Sequence, residues 1–247
     1  MKDQSIPHES WAKVYDLAYE RSFGPSYEHF NEQTLAVISR FLPSPKSTIV
    51  DFGAGTGRIS IPLANMGHSV TAVDRSQAML DQLILKNNGL QNIETACVSM
   101  ADFNRTGYDC GLCVFTVILY LLDEDSLYNS LNAAYTALKP DGVFIIDIPS
   151  RAVFKSYQHQ DDGFKRHVTI ESIKSNIFQY NETIELIDSQ NNVLMFNDQF
   201  MIRYWSFENI KSILEKIGFI IETDLTSQFA GMGATYLQLR KPPLLSN

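Results

Sequence analysis

The chain has 247 residues, 45% of them hydrophobic, and 28 acidic against 20 basic residues give it a formal net charge of −8. Without a run of lysine or arginine, this charge would repel a phosphate backbone, so we expect no nucleic-acid ligand. No stretch reaches the roughly 18 apolar residues of a membrane span, and the opening MKDQSIPHESW lacks the apolar core of a signal peptide. We therefore expect a cytoplasmic monomer or homodimer with no membrane partner.

The first half of the chain alternates strand and helix patterns. Short β-branched apolar runs predict five strands: STIVDF, SVTAVD, NIETACV, YDCGLCVF and VFIIDIP. One helix pattern between them stops at Gly67, and a second has Ser76 as a plausible N-cap and Gly89 beyond its end. A third opens with acidic residues and closes at Pro140 and Gly142. Strands separated by helices predict a doubly wound, Rossmann-like α/β sheet.

The second half of the chain does not continue this alternation of strands and helices. From about Lys155 to Trp205 it has β-rich runs with a turn signal at 189–192, which predicts antiparallel strands. A helix pattern that ends at Gly218 and two last strands, FIIETDL and ATYLQLRK, most easily join the main sheet. The expected fold is a seven-stranded sheet, mostly parallel with its last strand antiparallel, carrying an antiparallel β insertion after strand five.

Two short sequence patterns resemble metal-binding or redox motifs. Cys110 and Cys113 have the spacing of a metal-binding pair, but side chains three apart on a strand point to opposite faces. The acidic trio at 123–125 opens a helix, where the helix dipole favours negative charge. We therefore expect packing and capping roles at these positions, and no metal.

The stretch VDFGAGTGR at 50–58 places Gly53, Gly55 and Gly57 directly after a strand, and Asp74 ends the next strand. Glycine permits positive φ and removes the Cβ that would hold a ligand away, while a carboxylate can bind both ribose hydroxyls. A dinucleotide site needs G-x-G-x-x-G/A, but the third small position is occupied by Arg58. The spacing favours a nucleoside ligand and leaves a nicotinamide-dependent oxidoreductase as the weaker alternative.

The stretch VDFGAGTGRISIPLANMGHSVTAVDRSQAML resembles the nucleoside-binding half of class I S-adenosylmethionine-dependent methyltransferases, whose first motif is acid-x-G-x-G-x-G. The resemblance continues to the LKPDG turn and strand five, about residues 45–149, and returns in RYWSFENIKSILEKIGF and the last strands. It implies a cofactor-binding α/β domain at 45–150 and 205–247. It also implies an N-terminal helical lid at 1–44 and a β-rich substrate-cover insertion at 151–204, as in the small-molecule branch.

The resemblance implies a set of contacts with S-adenosylmethionine. Asp74 would hold the ribose hydroxyls, and Asp51 would lie near the methionyl ammonium. Tyr15 and Tyr19 of the lid are candidate cofactor contacts, with helix packing as their alternative. The other implied contacts are Gly53, Ala54, Gly55 and Gly57 at the methionyl part, Arg75 and Met79 beside the adenine, Ser99, Met100 and Ala101 at its edge, and Phe115 with Thr116 below the sulfonium.

The expected function is methyl transfer to nitrogen or oxygen of a small-molecule acceptor. This in-line displacement depends mainly on alignment and exclusion of water, and it needs a base only where the acceptor stays protonated. His159, His167 and Tyr120 are candidate bases, each with a structural alternative. The chain reads VFTVILY where nucleobase-amine enzymes carry Asn/Asp-Pro-Pro-aromatic. A cofactor-binding protein that is regulatory and has no transfer activity remains an alternative.

Overall fold

The computed structural model describes residues 6–229 and 233–244. The predicted lid and cofactor domain therefore include short stretches, 1–5, 230–232 and 245–247, that lie outside the described residues. The described residues form these strands, in chain order: β1 (Thr48–Phe52), β2 (Ser69–Asp74), β3 (Ile93–Cys97), β4 (Tyr108–Cys113), β5 (Leu138–Pro149), β6 (Tyr157–Asp161), β7 (Phe164–Lys174), β8 (Ile177–Ile187), β9 (Val193–Arg203), β10 (Ile220–Asp224) and β11 (Ala234–Arg240).

Seven of these strands form the main sheet, in the order β10-β11-β5-β4-β1-β2-β3. The pairs among β1 to β5 are parallel. Strand β11 is antiparallel to both neighbours, β5 and β10. Residues 142–149 of β5 are all buried, as expected of a central strand that is covered on both faces. The predicted doubly wound sheet with an antiparallel last strand is confirmed.

The described residues also form helices, most of which pack on the two faces of this sheet. In chain order they are α1 (Tyr15–Phe23), α2 (Pro25–Ser39), α3 (Ser60–Asn65), α4 (Gln77–Lys86), α5 (Glu124–Ala137) and α6 (Phe207–Ile217). One apolar cluster joins α5 and α6 to the sheet, and another joins α2 and α3 to its other face. The side chain of Ser76 accepts a hydrogen bond from Met79 N, and Asp123 accepts one from Ser126 N, so both act as N-caps.

The end of α5 differs from the sequence prediction. Strand β5 begins at Leu138, immediately after the helix, rather than after the Pro140 to Gly142 turn. Leu138 pairs with Tyr108 of β4, and the register then shifts before Cys110 pairs with Val143. The Pro140 to Gly142 turn therefore lies within β5, where the pairing register between β4 and β5 shifts.

The remaining strands form a separate antiparallel sheet in the order β6-β7-β8-β9, which confirms the predicted antiparallel insertion after strand five. We call it the inserted sheet. Phe164 and Ile184 of this sheet share an apolar cluster with Trp11 and Ala18 from the N-terminal segment. The N-terminal segment therefore packs against the inserted sheet as well as against the main domain.

The two cysteines of the CGLC sequence are buried and not bonded to each other. Cys110 packs in the cluster with Ile49, and Cys113 packs in the cluster with Val50 on the other face of the sheet. Their side chains diverge as the strand geometry predicts. Across the described ranges, no helix combines the length and apolar character needed to cross a bilayer.

Candidate functional site

A cavity of about 420 Å³ lies beyond the carboxyl ends of the parallel strands. The segments that follow β1, β2, β3 and β4 all contribute to its wall, together with the start of α5 and the N-terminal segment. The order of strands reverses between β1 and β4, and open α/β sheets bind ligands at such switch points. The topology therefore places the cavity where this class of sheet binds its ligand.

The glycine turn, residues 53–57, forms one wall of the cavity. Gly53, Gly55 and Gly57 have φ values of +74°, +55° and +86°, which side chains disfavour. A Cβ on Gly53 would lie 2.3 Å from Val117 Cγ2, and one on Gly55 would lie 3.3 Å from Met79 Cε. Both neighbours also line the cavity. The absence of a side chain at these two glycines therefore lets Val117 and Met79 pack closely against the turn.

Gly57 differs in its surroundings from the other two glycines of the turn. It does not line the cavity, and a Cβ there would lie 2.7 Å from Leu83 Cγ and 3.0 Å from Ile61 Cδ1. The third glycine therefore permits close packing of α3 against α4 beneath the turn.

Asp74, at the end of β2, connects the glycine turn to helix α4. Its Oδ2 accepts a hydrogen bond from Gly55 N at 2.9 Å, and its Oδ1 accepts one from Ser76 N at 2.9 Å. Burial raises the pKa of this carboxyl group, and backbone hydrogen bonds, chiefly from Ser76 and Gly55, oppose that shift. Each oxygen keeps a further lone pair that can accept a hydrogen bond in the cavity.

Asp51 lies deeper in the same wall and is 3% exposed. Its Oδ2 accepts a hydrogen bond from Ser60 Oγ at 2.5 Å. Burial raises the pKa of Asp51 to about 6, although the Ser60 hydrogen bond favours the charged form. A cationic ligand group beside it would favour ionisation.

The segment after β3 supplies a third wall. Ser99, Met100 and Ala101 line the cavity, as do Arg75 and Met79 from the β2–α4 connection. The sequence places the adenine among these five residues, and the structure brings all of them together.

The loop after β4 has unusual backbone geometry. Phe115 and Thr116 have φ values of +66° and +68°, which are uncommon for residues other than glycine. Thr116 N donates to both carboxylate oxygens of Asp147, at 3.1 and 2.9 Å. Phe115 lines the cavity, but Thr116 does not. The carboxylate of Asp147 therefore holds the turn that positions the Phe115 ring.

The N-terminal segment covers the cavity with aromatic side chains. Tyr15 lines it, whereas Tyr19 lies outside the lining and stacks on Tyr15 with ring centroids 4.6 Å apart. Of the two predicted lid tyrosines, only Tyr15 faces the cavity directly.

Sequence reasoning missed His8, which also lines the cavity. His8 Nε2 lies 2.9 Å from Tyr120 Oη, and its Nδ1 lies 3.7 Å from Glu182 Oε2 on the inserted sheet. Glu182 in turn accepts a hydrogen bond from Arg166 Nε at 2.6 Å. Burial and the Arg166 charge lower the pKa of His8 to about 3, so its imidazole is neutral. No local pattern marks this residue, because its partners are more than a hundred positions away.

Among the three candidate bases, only Tyr120 lines the cavity. His159 lies on β6 with its Nε2 3.6 Å from Asp161 Oδ2. His167 is exposed on β7. The structure does not bring the two histidines of the inserted sheet to the cavity. His167 lies on the exposed face of β7, and His159 shares the face of Arg166, its partner across the ladder, but lies outside the cavity lining.

Comparison with known proteins agrees with this geometry. Residues 49–142 match the family described as "Methyltransferase domain". A Geobacillus sp. (strain WCH70) protein named as a methyltransferase is 29% identical over 147 residues, 59% of this chain and 58% of the relative. The ubiquinone biosynthesis O-methyltransferase of Rickettsia canadensis is 28% identical over 154 residues, 61% of this chain and 62% of that protein. The chain thus matches somewhat more than half the length of these curated relatives.

The solved structures match over nearly the whole chain. A S-adenosylmethionine-dependent methyltransferase from Clostridium acetobutylicum has a TM-score of 0.80 at 19% identity, covering 93% of this chain and 98% of that one. The sugar N-methyltransferase KedS8 from Streptoalloteichus has a TM-score of 0.72 at 21% identity, covering 98% of both chains. At these identities the match establishes the fold.

The fold and the cavity define a Rossmann-like cofactor-binding α/β protein. Within this fold, residues 49–142 match the methyltransferase-domain family, and proteins named as S-adenosylmethionine-dependent methyltransferases share the same overall fold.

Proposed function

We propose that the protein transfers a methyl group from S-adenosylmethionine to an amine or hydroxyl of a small-molecule acceptor. The observation that carries this proposal is a single cavity that joins the glycine turn and Asp74 at one side to His8, Tyr15 and Tyr120 at the other. One side is suited to a nucleoside and the other to an acceptor held against it.

The cavity residues fit the cofactor. Its volume, about 420 Å³, falls within the roughly 300–1,000 Å³ typical of small-ligand sites. Gly53 and Gly55 leave the backbone bare at positive φ, and Asp74 presents free lone pairs for ribose hydroxyls. Asp51 offers a carboxyl group for the amino end, and Met79 packs beside the expected adenine position. When bound, the cofactor supplies a methyl group made electrophilic by its sulfonium.

Tyr120 is the protein group we assign to the acceptor. Because His8 is neutral, its ring has one nitrogen that can accept a hydrogen bond, and Tyr120 Oη lies 2.9 Å from Nε2. If Tyr120 donates to Nε2, its oxygen is left to accept a hydrogen bond from an acceptor N–H or O–H in the cavity. The tyrosine would orient the attacking lone pair of the acceptor.

The N-terminal segment, 1–44, and the inserted segment, 151–204, are proposed as lid and substrate cover. Trp11 and Ala18 pack with Phe164 and Ile184, so the two covers form one apolar contact over the acceptor side. Such a cover would exclude water from the transfer step. We also propose that the protein acts as a cytoplasmic monomer or homodimer.

The names of similar proteins indicate the acceptor chemistry to test. Structural neighbours include an amino pentose methyltransferase and a sugar N-methyltransferase. Sequence relatives include glycine/sarcosine N-methyltransferases and an O-methyltransferase. We therefore propose a small amine or hydroxyl compound, and the net charge of −8 disfavours nucleic acid.

The test is formation of S-adenosylhomocysteine over a panel of amino sugars, amino acids and phenols. The proposal expects turnover with at least one acceptor, slowed in Tyr120→Phe. Binding of S-adenosylmethionine with no turnover across the panel would favour the regulatory alternative. Binding of NAD in its place would favour the oxidoreductase.

A further inference from the structure

Glu182 is a buried carboxylate of the inserted sheet, at the point where this sheet meets the N-terminal segment. Its Oε1 accepts a hydrogen bond from Arg166 Nε at 2.6 Å. In the ladder it pairs with Asp198 of β9, which is also buried. Two adjacent buried carboxylates repel each other and destabilise the sheet that carries them. This cost indicates a role for Glu182 beyond the stability of the inserted sheet.

His8 connects this pair of carboxylates to the cavity. Asp198 Oδ2 accepts a hydrogen bond from His8 N at 2.6 Å, which anchors the backbone of the N-terminal segment to β9. The His8 ring then lies between two polar groups: Nε2 is 2.9 Å from Tyr120 Oη, and Nδ1 is 3.7 Å from Glu182 Oε2. The two carboxylates therefore serve different parts of one residue, since Asp198 holds the backbone of His8 and Glu182 faces its ring.

The polar atoms around the His8 ring favour one position for its proton. Among the residues that the structure describes, neither His8 Nδ1 nor Glu182 Oε2 has a hydrogen-bond partner. A neutral imidazole has one N–H and one bare nitrogen, and a nearby carboxylate favours the proton on the nitrogen that faces it. An ionised Glu182 can only accept, whereas the Tyr120 hydroxyl can donate. A proton on Nδ1 therefore satisfies both neighbours of the ring.

We infer that Glu182 is a positioning residue for methyl transfer. It holds the proton of His8 on Nδ1, so that Nε2 accepts the hydrogen bond of the Tyr120 hydroxyl and the Tyr120 oxygen is left to accept one from the methyl acceptor. The inference rests on the proposed function, because Tyr120 is assigned there to the acceptor. It gives the inserted sheet a role that reaches the cavity through His8.

Nitrogen-15 NMR of the histidine-labelled protein tests the tautomer directly and needs no acceptor. Protonated and bare ring nitrogens differ in chemical shift, and the signals of His8 are those lost in His8→Asn. Burial raises the pKa of Glu182 to about 7, so the spectra are recorded above that pH, where the carboxylate is ionised. We expect the wild-type proton on Nδ1. In Glu182→Gln the carbonyl oxygen stays with Arg166 Nε and the amide N–H group faces Nδ1, so we expect the proton on Nε2.

Glu185→Gln is the matched control. Glu185 lies on the same strand and pairs with Lys165 of β7 at 3.3 Å, but this ion pair is at the surface. We expect the His8 proton to stay on Nδ1 in this variant. A shift of the proton in both variants would show that the change is not specific to Glu182, and would overturn the inference.

Kinetics with an acceptor from the panel tests the consequence for transfer. Glu182→Gln should lower kcat about as much as Tyr120→Phe, with an unchanged Kd for S-adenosylmethionine, and should have no further effect in the Tyr120→Phe background. The inference is overturned by a wild-type proton on Nε2, by the same tautomer in wild type and Glu182→Gln, or by additive losses in the double variant. If Glu182→Gln does not fold, the wild-type spectrum decides. Absence of turnover across the panel contradicts the proposed function, and the spectra report on the tautomer separately.

Discussion

Asp74 gives the most quantitative prediction for cofactor binding. Its two oxygens already accept hydrogen bonds from Gly55 N and Ser76 N, each at 2.9 Å. An ionised carboxylate has about four acceptor positions, so two remain for the ribose hydroxyls. Hydrogen bonds to charged groups contribute about 1.5–3 kcal/mol each. The loss of both corresponds to about 3 kcal/mol at the lower bound, or a roughly 150-fold rise in Kd.

The choice of substitution separates binding from folding. Asp74→Ala also removes the acceptor of two backbone N–H groups, so we expect it to destabilise the fold. Asp74→Asn keeps one acceptor oxygen and is the cleaner variant. The assay is calorimetric titration with S-adenosylmethionine, with circular dichroism to check folding. Asp81→Ala, at an exposed position on the adjoining helix α4, serves as control.

The charge of Asp74 also predicts a pH dependence. Burial raises its pKa, whereas ribose hydroxyls would stabilise the ionised form. Cofactor affinity should therefore fall as the pH is lowered through the pKa that Asp74 has in the cofactor-free protein. A folded Asp74→Asn variant that binds as tightly as wild type, with the same pH profile, would refute the ribose assignment.

The remaining predictions concern the glycine turn, the loop after β4 and the acceptor side. Gly55→Val should abolish S-adenosylmethionine binding in a titration, since its side chain would enter the cavity at φ +55°. Gly57→Ala should mainly lower the melting temperature, because its Cβ would lie 2.7 Å from Leu83 Cγ; loss of binding with unchanged melting would contradict this. Burial raises the pKa of Asp147 to about 7. The stability that protonated Asp147 contributes is therefore fully present below the pKa that this carboxyl group has in the unfolded chain. It is lost as the pH rises through about 7, the pKa in the folded protein. Urea titrations between pH 4 and 8 should show that the free energy of unfolding changes less with pH in Asp147→Asn than in the wild type. An equal change in both proteins would refute this role of Asp147. Tyr120→Phe should slow methyl transfer at least about tenfold while leaving cofactor affinity within about twofold, as a positioning hydroxyl predicts; equal losses in both would place Tyr120 in the cofactor site instead.

Local patterns were sufficient to predict most of the fold. Apolar β-branched runs fixed the central strands, and residues such as Ser76 and Gly218 marked helix ends because capping is a local interaction. Because side chains alternate between the two faces along a strand, the sequence correctly predicted that Cys110 and Cys113 point to opposite faces of the sheet. The start of β5 at Leu138 was missed, since a ladder irregularity depends on the partner strand.

The candidate site was predictable only where it follows the chain locally. The glycine turn and Asp74 are close in sequence and motif-like, and both line the cavity. The separation of Tyr15 from Tyr19 depends on how a helix is rotated against its neighbours. The contact of His8 with Tyr120 joins segments 112 positions apart, and no spacing rule reaches that far. Tertiary packing, rather than local propensity, decides these positions.

The central claim is that this cavity binds S-adenosylmethionine, and a titration of the wild-type protein with S-adenosylmethionine and NAD in parallel tests it most directly. We predict saturable binding of one S-adenosylmethionine per chain, competed by S-adenosylhomocysteine and not by NAD. Binding of NAD alone, or no binding of S-adenosylmethionine to the folded protein, would contradict it.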